Sequence, residues 1–81
     1  MIGHRLGLHA RAAARLVQLS SKFQSTIVLR RSDGNAGVEA DGRSILSILL
    51  LSAAYGSKVN VRADGVDEDQ AIESICEYLA G

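Results

Sequence analysis

Gly7-Leu8-His9-Ala10-Arg11-Ala12-Ala13 brings together the residue types that a phosphoryl-accepting centre needs. A neutral imidazole is nucleophilic, and its second nitrogen can be held by a carbonyl while the first reacts. His9 falls where the pattern predicts a helix to begin. Backbone N–H groups without intrahelical partners, together with the positive dipole end, attract an anion at such a point. Arg11 can turn back and offer phosphate oxygens a planar fork of donors. Gly7 permits a sharp entry without a Cβ clash. A histidine near a helix start also fits a cap or an ordinary surface position, which is the commoner role. These residue types alone leave both readings open.

The elements that must position this segment follow from periodicity. Ala12, Leu16, Leu19 and Phe23 recur at helical spacing, with Arg11, Arg15, Gln18 and Lys22 on another face, so residues 9–22 read as an amphipathic helix. Thr26-Ile27-Val28-Leu29 is β-branched and apolar and runs into Ser32-Asp33-Gly34-Asn35-Ala36-Gly37, a strand followed by a hairpin loop. Val38 to Asp41 is the expected return strand, broken at Gly42, and Ser44 is placed to cap a helix beginning at Ile45. Tyr55-Gly56-Ser57 reads as a turn before Lys58-Val59-Asn60-Val61-Arg62-Ala63, which alternates at period two. Asp67, followed by Glu68, Asp69 and Gln70, matches a capping box, and Ile72, Ile75, Cys76 and Leu79 mark a last amphipathic helix. The expected order is α, β, β, α, β, α after a short N-terminal segment: one α+β domain over residues 1–81, with helices on one face of an antiparallel sheet.

Composition removes whole classes of function. With 81 residues there is space for one modest core. One cysteine cannot form an internal disulfide or a multi-cysteine zinc site, which points to a cytoplasmic protein. The longest dense apolar run, Ile45 to Leu51, is interrupted by Ser47, so no membrane insertion is expected. Nine basic residues balance nine acidic ones, an unsuitable charge for a general nucleic-acid binder. That zero conceals an asymmetry. Residues 1–43 carry seven Arg or Lys against Asp33, Glu39 and Asp41, while residues 44–81 carry Lys58 and Arg62 against six acids. Such a split fits either scattered solvated charge or a basic face that steers an acidic partner. Six of the seven residues from Ile45 to Leu51 are apolar, more than one buried helix face can absorb, so some are expected to stay exposed. An apolar patch rimmed by Arg11, Arg15 and Arg43 would suit a transient interface. His4 reads as a surface residue, Cys76 as a small core residue, and Tyr55 and Tyr78 as packing.

Gly7-Leu8-His9-Ala10-Arg11 resembles the phosphorylation motif of the HPr family, the histidine-containing phosphocarriers of the bacterial phosphoenolpyruvate-dependent phosphotransferase system. Gly42-Arg43-Ser44-Ile45-Leu46 is similar to that family's second signature, around a regulatory serine, and Ala63-Asp64-Gly65-Val66-Asp67-Glu68-Asp69 is similar to its acidic turn before the last helix. The three motifs occur in order and span nearly the whole chain. The resemblance implies an open-faced β-sandwich of order β-α-β-β-α-β-α. It also implies that His9 accepts a phosphoryl group at Nδ1 from enzyme I and passes it to an enzyme IIA domain, for sugar uptake or regulation, while Arg11 holds the group. The protein would then be a carrier with a phosphohistidine intermediate rather than a stand-alone enzyme, with no cofactor and no metal. Ala10, Arg15, Ile45, Leu46 and Leu49 would meet its partners. Ser44 would align with a serine that a dedicated kinase and phosphorylase modify in some relatives, although capping alone also explains a serine there. A regulatory protein acting mainly through Ser44, on a transcription factor or kinase, is the alternative.

Two departures stand out. The family usually places proline directly after the motif arginine, where this chain has Ala12. Proline suits a first helical turn because its missing N–H is not needed there, and alanine restores that donor. Only six residues precede Gly7, so the first strand is expected to be short or truncated. A neighbouring strand left partly unpaired would invite dimerisation.

Overall fold

The computed structural model describes residues 2–3, 5–32, 39–51 and 56–81. The expected loop 33–37, Val38, His4 and Tyr55 lie outside them. Helix α1 spans Ala10–Ser20, strand β1 Thr26–Arg31, strand β2 Glu39–Asp41, helix α2 Ile45–Leu50, strand β3 Val59–Asp64 and helix α3 Glu68–Ala80. The strands form one antiparallel sheet in the order β2-β1-β3.

Alternation along the strands decides which face is covered. Ile27 and Leu29 of β1 are buried between exposed Thr26 and Arg30, and the register sets Leu29 beside both Ala40 and Val61, and Ile27 beside Ala63. These side chains share one face of the pleat. The helices supply its cover through Ala12, Ala13 and Leu16 of α1, Ile48 of α2, and Ala71, Ile75 and Leu79 of α3. Burying each large aliphatic side chain is worth about 1.5–3 kcal/mol. Val59 and Val61 stay half-buried on β3, which is an edge of the sheet among the described residues. No helix among them is long and apolar enough to cross a membrane.

Several boundaries differ from expectation for local reasons. α1 stops at Ser20, earlier than residue 22, where Ser21 Oγ donates to the Val17 carbonyl at 2.8 Å and the Phe23 N–H turns to the Ser20 carbonyl at 3.2 Å. The capping box at Asp67 does not form: its carboxylate makes no cap bond to its own helix. Instead it accepts from the N–H groups of Gln24 at 2.9 Å and Ser25 at 3.0 Å and from the Ser25 hydroxyl. Cys76 is exposed, not part of the core. The stripe that α3 buries is Ala71, Ile75 and Leu79 at four-residue spacing, and Cys76 lies about 100° around the helix from Ile75.

No strand precedes α1 among the described residues. Ile2 nevertheless inserts fully into the core and exchanges backbone hydrogen bonds with the 56–57 turn, its N–H to the Ser57 carbonyl at 2.8 Å and its carbonyl from the Gly56 N–H at 2.9 Å. The Gly3 N–H then reaches the Leu79 carbonyl at 2.8 Å, an approach so close that a Cβ on Gly3 would stand 1.7 Å from the Ala80 oxygen.

Candidate functional site

The entry to α1 is made by Gly7, whose φ of 68° lies in the left-handed region that an L side chain adopts only with strain. Leu8 is buried, which anchors the chain one residue before His9. His9 is the residue before the first helical turn, in extended conformation with φ −75° and ψ 178°. Its carbonyl accepts from the Ala13 N–H at 2.8 Å, but its side chain makes no cap hydrogen bond. The imidazole is therefore not consumed by the ordinary task of a residue at this place. The N–H groups of Ala10, Arg11 and Ala12 precede the first intrahelical bond, and the first turn carries no acidic residue to neutralise the helix dipole.

His9, Arg11, Ala12, Arg15 and Tyr78 line one small open recess. Arg11 and Arg15 are four apart on α1, hence neighbours on one face. Ala12 and Ala13 are buried, and small side chains there let α3 approach α1. From α3, Tyr78 donates its hydroxyl to the Ala12 carbonyl at 3.0 Å. Burial pushes the Tyr78 phenol above its usual range, and the charge of nearby Arg15 opposes that shift. The lining has no carboxylate. Chemically, such a recess can hold a small multivalent anion against an imidazole. Among the described residues no group of three or more His, Cys, Asp or Glu side chains could hold a metal ion.

Helix α2 packs beside α1 and presents a second surface. Ile45, Leu46 and Leu50 are exposed at 42%, 67% and 67%, while Ile48 is fully buried and Leu49 packs half-buried against the core. Leu50 was not among the expected contact residues, although its four-residue spacing from Leu46 carries the signal. Leu6, just before Gly7, is also exposed. Ser44 caps α2, its hydroxyl accepting from the Ser47 N–H at 3.3 Å. Arg43 does not serve only as a rim charge: its guanidinium donates to the carbonyls of Phe23 and, at 2.9 Å, Ser25. Tyr78 is the site residue missed by sequence reasoning. Nothing local marks it, because its contact spans 66 positions of chain.

Comparison with known proteins agrees with this geometry. The family model described as "PTS HPr component phosphorylation site" matches residues 1–81. The chain is 43% identical over 79 residues to a phosphocarrier protein HPr of Xylella fastidiosa (strain 9a5c), covering 98% of this chain and 84% of that one. It is 43% identical over 74 residues to a phosphocarrier protein NPr of Proteus mirabilis (strain HI4320), covering 91% and 79%. A crystal structure of a phosphocarrier protein HPr from Bacillus anthracis str. Ames superposes with a TM-score of 0.89 at 28% identity, covering 98% and 89%.

Proposed function

We propose, since this chain belongs to the HPr/NPr family of phosphotransferase-system phosphocarriers, that His9 is the phosphoryl acceptor and donor of a relay between two larger proteins. The observation that carries this reading is an imidazole left uncapped at a helix start, in a recess it shares with two arginines and no carboxylate. In the transfer, a lone pair on His9 Nδ1 forms a bond to phosphorus as the bond from phosphorus to the phosphorylated enzyme I breaks. The bonding pair returns to the donor atom. The reverse sequence then hands the group to an enzyme IIA domain. Arg11 and the N–H groups of Ala10 and Arg11 meet the phosphoryl oxygens, so positioning and electrostatics supply the catalysis. Arg15 adds charge along the same face.

Exposed Ile45 and Leu46, with Leu49 behind them and Ala10 beside His9, form the surface on which partners dock. Ser44 sits directly before that patch, and a phosphate on it would place about two negative charges where an acidic partner approaches. This supports regulation by a serine kinase and phosphorylase.

The test is incubation with enzyme I and phosphoenolpyruvate. The chain should acquire an acid-labile, alkali-stable phosphate that maps to His9. Persistent labelling of a His9→Ala variant would overturn the assignment.

A further inference from the structure

The Ala12 carbonyl and the Ala13 N–H belong to one planar peptide group, and both ends of that group are engaged. Tyr78 Oη donates to the carbonyl at 3.0 Å, and the N–H donates to the His9 carbonyl at 2.8 Å. The sequence Tyr78 hydroxyl, Ala12–Ala13 peptide, His9 carbonyl is thus a continuous chain of hydrogen bonds from α3 to the residue that carries the imidazole. Bonds in such a series polarise and orient one another. The tie also falls on Ala12, a first-turn residue of α1 that has no proline ring. Without that ring, φ of residue 12 loses a covalent restraint in the first turn.

We infer that Tyr78 is a positioning residue for phosphoryl transfer: its hydroxyl fixes the Ala12–Ala13 peptide and through it the His9 backbone, replacing by a contact from α3 the stiffness that proline supplies within α1. This rests on the reading of His9 as the phosphoryl acceptor. Tyr78 does not touch the reacting atoms in this role. The recess geometry agrees, since Tyr78, Ala12 and His9 line the same wall system with Arg11 and Arg15. Tyr78 is not part of the docking surface formed by Ala10, Ile45, Leu46 and Leu49, so the effect belongs in the transfer step and not in encounter.

The experiment compares the unsubstituted chain, Tyr78→Phe, Ala12→Pro and the double variant, each phosphorylated by enzyme I and phosphoenolpyruvate. Tyr78→Phe should lower kcat about three- to tenfold, as loss of one neutral hydrogen bond would, with KM for this chain unchanged. Its Ala13 amide should exchange with solvent faster while the remaining core amides keep their protection. Ala12→Pro should restore kcat in the Tyr78→Phe background, because proline re-imposes the restraint at the same residue. An unchanged kcat in Tyr78→Phe overturns the inference, and so does a double variant as slow as Tyr78→Phe. Global loss of amide protection in Tyr78→Phe would show a merely structural bond and overturn it too. Failure of the unsubstituted chain to accept phosphate at His9 removes the functional reading itself and this inference with it.

Discussion

Gly42 offers a quantitative test of how the turn before α2 is packed. A Cβ built there would stand 2.6 Å from Ile27 Cγ2, 3.0 Å from Ile27 Cβ and 3.3 Å from the Ile27 carbonyl oxygen. Ile27 cannot swing away: it is 1% exposed, and its carbonyl holds the Gly42 N–H at 2.9 Å. Gly42→Ala therefore overpacks a closed site, which costs about 1–3 kcal/mol. Lower chain entropy in the unfolded state returns about 0.4–1 kcal/mol. The net loss, about 1.3 kcal/mol at the middle of these ranges, corresponds to a fall in Tm of roughly 5–10 °C for a domain this small. Ile27→Ala alone should cost about 2–5 kcal/mol by leaving a cavity. It also removes the Cγ2 that the new methyl would strike, so the two substitutions are coupled. Equilibrium urea unfolding of the four species should show the double variant less destabilised than the summed singles by about 1 kcal/mol, with constant m. Additive losses, or a Gly42→Ala chain as stable as the original, would refute the steric account.

Three further outcomes follow from the geometry. Gly7→Ala must hold a left-handed φ of 68° and should cost about 1–2 kcal/mol in local strain, seen in Tm and in slower phosphorylation, with Gly7→Asn milder in both. Asp67 is held below its usual value of 3.8, first by the Ser25 hydroxyl and then by the Gln24 N–H. Its contribution to stability is therefore complete above the unfolded value and is lost as pH falls through the lower folded one; urea midpoints measured from pH 5 to pH 2 should fall less steeply in Asp67→Asn. Leu46→Ala, at an exposed position, should change stability by no more than about 0.5 kcal/mol while raising KM in the enzyme I assay.

Residues that work through their neighbours in sequence are legible without coordinates. The segment Gly7 to Arg11 is contiguous, so glycine, histidine and arginine announce the helix start together. Ser44 reads as a cap because its partner is three residues away. Arg43, Asp67 and Tyr78 escape such reading, because their partners lie 18 to 20, 42 to 43 and 66 positions distant. Asp67 is instructive: the local pattern offers it a cap, but Gln24 and Ser25 bring two N–H groups and a hydroxyl to the same carboxylate. A fixed set of tertiary donors outcompetes the local one. The exposure of Leu46 and Leu50 beside buried Ile48 is intermediate: helical spacing contains it, but only packing shows which side faces the sheet.

The contact between Gly3 and the last turn of α3 closes a loop of nearly the whole chain. Among backbone pairings of the described residues it has the largest sequence separation, and closure entropy rises with the length of chain enclosed. The seam is therefore expected to zip late in folding and to open early, ahead of the local turns. It also makes the molecule a natural candidate for circular permutation. Segments fused before Gly3 and after Gly81 would leave the surface side by side, and a short linker between those ends would hold the seam closed at little entropic cost.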